Sequence, residues 1–368
     1  MNMNTDFQQY AYIPLKQFSN RVWRTYEGGA LIDKWKNDSP EVDGSMPEEW
    51  IMSTVTARGK GRPENEGLSM VQTPSGTYSL KELVASNKEL YLGKALADKF
   101  GTTGVLIKML DSKERLTIQV HPDKDYAKTM LDSAFGKTES WYVLNKREIN
   151  GEKSVIYMGF KEGVTREQWE ILFKNQDIEG MLDCLHKIEV NPGDAYMIYG
   201  GVPHAIGSGC FLMEVQEPTD YTMRVEKVTP AGLTISDELI HQGVGEQNML
   251  DCFHYDGCSY EEALKRWKVS PKTIDSSDKH TLNTIFNESH TDCFGLSELD
   301  LTVNGEHSLK ANGSFFVAVI YYGEGTIISG GKEYSFAQGD EIFFSAAIEE
   351  VVFKSKIASK ILLCYPPK

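Results

Sequence analysis

Four side chains in this sequence could act together as ligands of a metal ion. Gln119 and His121 stand two residues apart, Glu139 follows, and His204 comes much later in the chain. Two imidazoles, one carboxylate and one amide oxygen suit zinc or another first-row divalent ion and leave room for water or substrate. A single histidine is more often a structural residue, so this hypothesis requires that all four side chains converge.

The segment from 116 to 144 predicts how three of these side chains are positioned. Its first six residues alternate between apolar and polar, as a strand with one buried face does. Gln119 and His121 therefore point to the same side, because strand side chains alternate between faces. A second strand-like run covers residues 140–144. Glu139 stands at its start and meets His121 if the two strands pair.

The fourth ligand follows a strand that is bounded by two turns. The pattern predicts a turn at 191–194, a strand at 195–199 and a second turn just before His204. A weak copy of this pattern occurs near the carboxyl terminus, where Gly339-Asp340 resembles Gly193-Asp194. Eleven residues after each glycine stand Glu350 and His204, respectively. This indicates an internal duplication whose later copy lacks the imidazole.

Two cationic side chains lie near these ligands in the sequence. Lys137 precedes Glu139 by two residues, so the two side chains share a face if this stretch is extended. Arg224 follows a strand predicted at 211–215, which contains Glu214. If they have no role at a site, Lys137 is an ordinary turn lysine and Arg224 forms a surface salt bridge.

The other histidines and the six cysteines are predicted to have structural roles. The cysteines show no CxxC spacing, which argues against both a disulfide framework and a cysteine zinc site. The pairs Cys184 with His186 and Cys252 with His254 are predicted to pack in the core or lie at the surface. Four histidines in polar surroundings are predicted to be solvated: His241, His280, His290 and His307.

Composition and charge exclude several classes of protein. The chain has 368 residues, 40% hydrophobic and 25% charged, which is typical of a soluble protein with two domains. A net charge of −15 argues against nucleic acid or an anionic membrane as a partner. No apolar run approaches the ~20 residues of a membrane span, and the amino terminus lacks the pattern of a secretory leader. These features predict a cytoplasmic protein.

Short strands separated by turns dominate the predicted secondary structure. Capping boxes predict helices after Ser79, Thr165 and Ser259, each with Glu or Gln three residues later. The first of these helices spans 80–100 and is predicted to break near Gly93. The pattern favours a mainly β protein with barrels or sandwiches decorated by helices. No βαβ repeat, GxGxxG motif or P-loop is present.

Several runs in the chain resemble the signature of the type I phosphomannose isomerases, zinc enzymes of the cupin superfamily. The resemblance implies that Gln119, His121, Glu139 and His204 bind zinc, one ion per chain, and that Arg224 is catalytic. It places Lys137 and Glu214 on positions that line the active site. The matching runs are Gln119-Val120-His121-Pro122-Asp123, Gly136-Lys137-Thr138-Glu139-Ser140-Trp141-Tyr142, Pro192-Gly193-Asp194, Gly201-x-x-His204-Ala205, Glu214-Val215-Gln216 and Thr219-Asp220-x-Thr222-x-Arg224.

The resemblance also implies a fold and a domain organisation. The expected fold is mainly β, with two cupin-type (jelly-roll) β-barrel modules decorated with helices. Residues 1–230 would form the metal-binding catalytic module with a helical insertion, and 231–284 a mixed, helical linking segment. Residues 285–368 would form a second, metal-free module, in agreement with Glu350 at the position of the missing histidine.

The implied activity is the interconversion of mannose 6-phosphate and fructose 6-phosphate through an enediolate. A metal and a cation such as Arg224 would stabilise the enediolate oxygen, and Lys or Arg side chains would hold the sugar phosphate. Glu214 and Lys137 are both candidates for the base. Two other functions stay open: an iron oxygenase using two histidines and one carboxylate, and a non-catalytic sugar-binding cupin. The sugar-binding alternative is suggested by residues 225–228, which depart from the family pattern.

Overall fold

The structure, a computed structural model, describes residues 7–58 and 61–368. The described chain is mainly β, and its strands form two modules that each contain two main sheets. This confirms the predicted fold class. Residues 1–6, which belong to the segment used to predict the absence of a leader, lie outside the described residues.

The strands of the described residues are numbered here in chain order. They are β1 (Leu15–Lys16), β2 (Arg21–Val22), β3 (Glu48–Ile51), β4 (Met70–Thr73), β5 (Gly76–Ser79), β6 (Leu106–Asp111), β7 (Gln119–Val120), β8 (Glu139–Lys146), β9 (Val155–Phe160), β10 (Leu185–Glu189), β11 (Ala195–Ile198), β12 (His204–Ile206), β13 (Cys210–Gln216), β14 (Met223–Arg224), β15 (Lys268–Val269), β16 (Lys272–Ser276), β17 (His280–Phe286), β18 (Gly295–Leu301), β19 (Glu306–Lys310), β20 (Phe316–Tyr322), β21 (Glu324–Ser329), β22 (Lys332–Ala337), β23 (Glu341–Phe344), β24 (Glu350–Ser355) and β25 (Ser359–Tyr365).

The helices are short and lie between these strands. They are α1 (Ala30–Lys36), α2 (Leu80–Ser86), α3 (Lys88–Leu92), α4 (Lys94–Lys99), α5 (Lys124–Leu131), α6 (Arg166–Asn175), α7 (Ile178–Asp183), α8 (Asp237–His241), α9 (Glu246–Asp251) and α10 (Tyr260–Trp267). Within the part of the chain that the structure describes, no helix combines the length and the apolar character needed to cross a membrane.

The three predicted capping residues begin helices α2, α6 and α10. Each hydroxyl accepts a hydrogen bond from the backbone N–H three residues later. The predicted helix at 80–100 is divided twice, at Asn87 and at Gly93. Gly93 has a φ of +90°, and a Cβ there would stand 2.1 Å from the Gly313 carbonyl oxygen. Only glycine fits this break without strain.

The first module consists of two sheets that enclose the candidate site. Its large sheet has the strand order β15-β11-β8-β13-β6-β3-β2, and its small sheet the order β10-β9-β12-β7-β14. The central strands β6, β8 and β13 are buried along almost their whole length. Their apolar side chains on the outer face join a core cluster that continues into the second module, so the charged residues on the inner face of this sheet are enclosed.

The second module has the same two-sheet construction. Its large sheet has the order β1-β23-β20-β25-β18-β17-β16, and its small sheet the order β19-β24-β21-β22. Strands from both ends of the chain meet here, because β1 pairs with β23. Strands β16 and β17, from the predicted linking segment, also pair into this sheet. Apolar side chains, including Phe316, Phe336, Phe344 and Phe353, fill the space between the sheets, while Glu350 is exposed.

A buried polar cluster joins the two modules. The Lys36 ammonium lies 2.9 Å from Glu341 Oε2 and 3.8 Å from Glu49 Oε1. The Gln17 amide donates to the same two carboxylates, at 2.5 and 3.4 Å. Burial raises the pKa of Glu341 to about 8, in spite of the opposing effect of Lys36. One ammonium thus serves two enclosed carboxylates, and this disfavours the ionised form of Glu341.

Replacing Glu341 with glutamine is expected to reduce the loss of stability as the pH rises. The pKa of Glu341 is raised in the folded protein, so its contribution to stability is present below pH ~4.5 and is lost as the pH approaches about 8. The slope from one such group is at most ~1.4 kcal/mol per pH unit. Urea unfolding of the wild type and the variant between pH 5 and 9 measures the difference between their free energies of unfolding. This difference should grow with pH. A constant difference would contradict the assignment.

Candidate metal centre and active-site pocket

Three of the four predicted ligands converge between the two sheets of the first module. His121 Nε2 lies 3.0 Å from Glu139 Oε2, and His204 Nε2 lies 3.5 Å from Glu139 Oε1. The two imidazole rings are 4.7 Å apart between centroids. All three side chains are fully buried. The potential ligand atoms lie within 4.8 Å of one another, which is a spacing that one metal ion can bridge after small side-chain rotations.

The two sheets bring these ligands together from opposite sides. His204 on β12 is directly opposite Gln119 on β7, and both strands belong to the small sheet. His121 follows β7 by one residue and, as predicted, lies on the side of Gln119. Glu139 begins β8 in the large sheet. The prediction that His121 and Glu139 meet by strand pairing is therefore wrong: they meet across the interior of the module.

A tight turn fixes the approach of His204 to His121. The Gly201 N–H donates to the His121 carbonyl oxygen at 2.8 Å. Gly201 has a φ of +83°, and a Cβ there would lie 2.4 Å from the His254 ring. A residue with a side chain would be strained and crowded at this position, so glycine is needed where the turn docks on the β7 segment.

Each imidazole is oriented by a backbone carbonyl. His121 Nδ1 lies 2.9 Å from the Tyr221 oxygen, and His204 Nδ1 lies 2.9 Å from the Val202 oxygen. These contacts assign the proton to Nδ1 in both rings, because a carbonyl oxygen only accepts. Both Nε2 atoms then present lone pairs towards Glu139, as metal-binding histidines do when their other nitrogen is held.

The electrostatics keep these groups in the form that binds cations. Burial, with the nearby Lys137 ammonium, lowers the pKa of His121 to about 3. Burial opposes ionisation of Glu139, but Lys137 and His121 hold the pKa of its carboxyl well below its usual range. Although these two groups lie within 3.0 Å of Glu139 Oε2, neither oxygen accepts a well-directed hydrogen bond. Such a carboxylate fits a metal ligand.

Gln119 completes the set of four side chains around this point. Its amide nitrogen lies 3.2 Å from His204 Nε2. The amide nitrogen and oxygen exchange places by a rotation about one bond, so the side chain also offers an oxygen to an ion. The donor set of two imidazoles, one carboxylate and one amide therefore fits a first-row divalent metal. The first module thus contains a buried His/Glu cluster that could hold a metal ion.

Lys137 is not an ordinary turn lysine. Its side chain is buried, and its ammonium lies 2.8 Å from His121 Nε2 and 2.9 Å from Glu139 Oε2. As the spacing of two residues predicted, Lys137 reaches the same interior region as Glu139. The neutral His121 ring and the negative Glu139 carboxylate thus stabilise the positive charge of Lys137 inside the cluster.

Arg224 lies beside these ligands and is not part of a surface salt bridge. It is directly opposite Gln119 in the pairing of β14 with β7, and its Nη1 donates to the carbonyls of Thr222 and Leu239 at 3.1 and 2.7 Å. No carboxylate of the described residues lies within 4.0 Å of its guanidinium. Burial lowers the pKa of Arg224 to about 10, so the side chain stays cationic at neutral pH.

A second charged network lines a pocket beside this cluster, on the side of the large sheet. Lys108 donates to Glu214 Oε1 at 2.7 Å and lies 3.8 Å from Glu48 Oε2. Arg24 donates to Glu48 Oε2 at 2.8 Å. Burial opposes ionisation of Glu48, but Arg24 and Lys108 lower its pKa to about 2. Burial and the nearby Glu139 carboxylate raise the pKa of Glu214.

Sequence reasoning missed Lys108, Arg24 and Glu48. Lys108 is buried on β6, opposite Glu214 on the neighbouring strand β13. A lysine inside the apolar run 105–110 was the available signal, because a buried lysine requires a partner. All three residues line one pocket together with Lys137, Glu214 and Arg224.

Two of the histidines predicted to be solvated are largely enclosed. The side chains of His280 and His307 are only 12% and 10% exposed, and both lie near Asp275, so the prediction is wrong for them. His241 and His290 are partly exposed. All six cysteines are buried free thiols. His186 is buried without a metal-site partner among the described residues, and His254 contacts Asp123 at the surface.

Two family models match separate parts of the chain. The model of the phosphomannose isomerase type I catalytic domain matches residues 15–148, and that of the mannose-6-phosphate isomerase cupin domain matches residues 283–361. The chain is 26% identical over 346 residues to mannose-6-phosphate isomerase ManA of Bacillus subtilis, which is 90% of this chain and 92% of that relative. It is 35% identical over 213 residues to the mannose-6-phosphate isomerase of Streptococcus mutans, which is 57% of this chain and 58% of that relative.

Solved structures show the same fold. The mannose 6-phosphate isomerase of Bacillus subtilis superposes with a TM-score of 0.73 at 22% identity, over 96% of this chain and 99% of the other. A phosphomannose isomerase from Salmonella typhimurium superposes with a TM-score of 0.72 at 16% identity, over 97% and 100%. Both modules are matched by models of one family, and relatives of that family align along most of the sequence. The chain belongs to the type I phosphomannose isomerase family.

Proposed function

We propose that this protein is a metal-dependent aldose-ketose isomerase that interconverts mannose 6-phosphate and fructose 6-phosphate. The observation that carries this proposal is the buried His121, Glu139 and His204 cluster, whose two Nε2 atoms face one ionised carboxylate. This cluster lies beside a pocket lined by Lys108, Lys137, Glu214 and Arg224. A Lewis acid, cations and a base are the groups that enediolate chemistry requires.

We assign zinc as the metal, held by Gln119, His121, Glu139 and His204. Imidazole and carboxylate are ordinary zinc ligands, and a catalytic zinc site keeps a position open for water or substrate. The bound ion supplies Lewis acidity that stabilises the negative oxygen of the enediolate. His121 and His204 need no deprotonation to bind it, since burial already disfavours their protonated forms.

The proton transfer is assigned to Glu214. The reaction removes the proton at C2 of the open-chain aldose and delivers a proton to C1, so one group must first accept and then donate. Burial raises the pKa of Glu214, which makes its carboxylate a stronger base than an ordinary glutamate. The Lys108 ammonium, 2.7 Å from Oε1, orients the carboxylate. Lys137, the other candidate, lies 2.9 Å from Glu139 Oε2 and is assigned no proton transfer.

The substrate phosphate is expected to bind the cationic side of the pocket. Arg24, Arg115 and Arg224 all line it, although the chain as a whole carries a charge of −15. Arg115 forms two short contacts with Glu226, at 2.6 and 2.9 Å. Glu226 belongs to the segment after Arg224 that departs from the family pattern, so in this chain that segment positions a cation of the pocket. Arginine suits phosphate because of its planar fork of donors.

Metal analysis combined with a coupled isomerase assay tests the proposed function. The purified protein should contain zinc that is lost on replacement of His204 and should convert mannose 6-phosphate, while free mannose should react poorly because it lacks the phosphate. Iron content with oxygen uptake would instead identify an oxygenase. Stabilisation by sugar phosphates without any turnover would identify a binding protein. Either of these two results would overturn the proposal.

A further inference from the structure

Asp275, His280 and His307 form a second cluster of metal-ligating side chains, in the second module. His280 Nε2 lies 3.0 Å from Asp275 Oδ2, and His307 Nδ1 lies 3.9 Å from the same oxygen. The two rings are 4.2 Å apart between centroids. One ligand atom from each residue lies within 4.8 Å of the others. This arrangement resembles the spacing of the cluster in the first module, but it uses residues far from that site.

The fold builds this cluster from edge strands of two different sheets. Asp275 lies on β16, an edge of the large sheet of the second module, and His280 begins the neighbouring strand β17. His307 lies on β19, an edge of the small sheet. The pairing of β16 with β17 shifts register between Thr273 and Asp275, as in bulges that redirect a side chain. Three backbone segments therefore meet at the seam between the sheets.

Polar contacts hold both ring nitrogens of His280 in place. Its Nδ1 lies 3.0 Å from the Ser277 hydroxyl, while Nε2 faces Asp275. The backbone N–H of Ser277 also donates to the His280 carbonyl at 2.8 Å, which closes the turn that holds the ring. Support of one imidazole nitrogen by a neighbouring polar group, with the other directed at an anion, is the arrangement found around metal-binding histidines.

The surroundings allow an ion to enter and remain. Asp275 is 54% exposed, whereas the two imidazoles are largely enclosed, so the cluster is open to solvent on the side of the carboxylate. The nearby cations Lys279 and Lys354 lie 2.7 and 3.5 Å from Glu306 and are thus neutralised by a carboxylate outside the cluster. Tetrahedral zinc places its ligand atoms ~3.3 Å apart, which is close to the separations of 3.0 and 3.9 Å found here.

We propose that Asp275, His280 and His307 bind a first-row divalent cation of the zinc type, with water as the fourth ligand. The ion would join the edge strands β16 and β19 and the neighbouring strand β17, and so stabilise the contact between the two sheets of the second module. Its role is structural, since the isomerase pocket is built from other residues. The second module therefore has an apolar interior but a metal site at its edge.

Zinc titration of the metal-free, full-length protein tests this proposal. A chromogenic competitor for zinc measures stoichiometry and affinity for the wild type, Asp275→Asn, His204→Ala and the double variant. We expect two zinc ions per chain in the wild type, one in each single variant, and none bound tightly in the double variant. Asp275→Asn should weaken the second site at least ~10-fold and leave isomerase turnover unchanged.

Thermal unfolding distinguishes loss of the site from loss of the fold. In chelator, Asp275→Asn should melt at the wild-type temperature, because Asp275 is largely exposed. Added zinc should raise the melting temperature of His204→Ala but have a smaller effect on the double variant, since only a ligand of the folded state stabilises it. Equal zinc stoichiometry and affinity in the wild type and Asp275→Asn would overturn the proposal, whatever the isomerase assay shows.

Discussion

Replacing His204 with alanine is expected to abolish metal retention and isomerase activity at the first site. The substitution removes one of two buried imidazoles. His204 Nε2 lies 3.5 Å from Glu139 Oε1, so the carboxylate also loses a neighbour. Because even residues that only support metal ligands change affinity by ~10- to 100-fold, loss of a ligand should cost at least ~100-fold in affinity. Turnover should fall to the background of the coupled assay.

Two further variants separate this effect from general damage to the fold. His204→Gln preserves more of the buried volume beside Trp141, whose ring lies 5.4 Å from that of His204, and should also lose activity. His290→Ala removes a histidine that is not part of the cluster and should keep full metal content and turnover. A folded His204→Ala protein with normal metal affinity at the first site and normal turnover would refute the ligand assignment.

Replacing Arg224 with alanine is expected to lower turnover by ~10²- to 10³-fold, as for loss of one group that stabilises an oxyanion. Arg224 lies next to Gln119 across the strand pair, and both of its backbone contacts use Nη1. The carbonyls of Thr222 and Leu239 thus fix the orientation of the guanidinium through Nη1 and leave its other N–H groups available. The measurement is steady-state kinetics at saturating mannose 6-phosphate, with the metal content determined on the same sample.

The effect of Arg224→Ala should be on chemistry and not on metal binding. Metal content and melting temperature should stay close to the wild type, since no proposed ligand is removed. Arg224→Lys should recover part of the activity, because it restores charge without the planar fork. Arg166→Ala, which removes a surface partner of Asp251, provides the matched control and should have no effect. Unchanged turnover in Arg224→Ala would exclude a catalytic role.

Local patterns in the sequence were sufficient for several features of the site. Alternation along a strand correctly placed Gln119 and His121 on one side, although β7 contains only two paired residues. The turn residues around 191–201 correctly predicted the strand and the turn that lie just before His204. Side-chain alternation and turn formation depend on residues a few positions apart, so they can be predicted without the rest of the fold.

Features that depend on pairing between distant strands could not be predicted in this way. His121 and Glu139 are only eighteen residues apart in the sequence, yet their strands belong to different sheets. The buried pair of Lys108 and Glu214 requires β6 to lie beside β13. The cluster of His280 and His307 requires the edges of two sheets to meet. In each case, burial and register set the partner, and neither is encoded locally.

The sequence by itself determined the metal-binding residues to be tested, the mainly β character and the resemblance to an isomerase family. Only the tertiary structure decided that Glu139 faces the histidines from the opposite sheet, that Lys108 and Arg24 line a pocket beside them, and that a second cluster lies at the seam of the other module. The physical reason is range: motifs and periodicity act over a few residues, whereas the packing of two sheets sets which charged side chains are enclosed together.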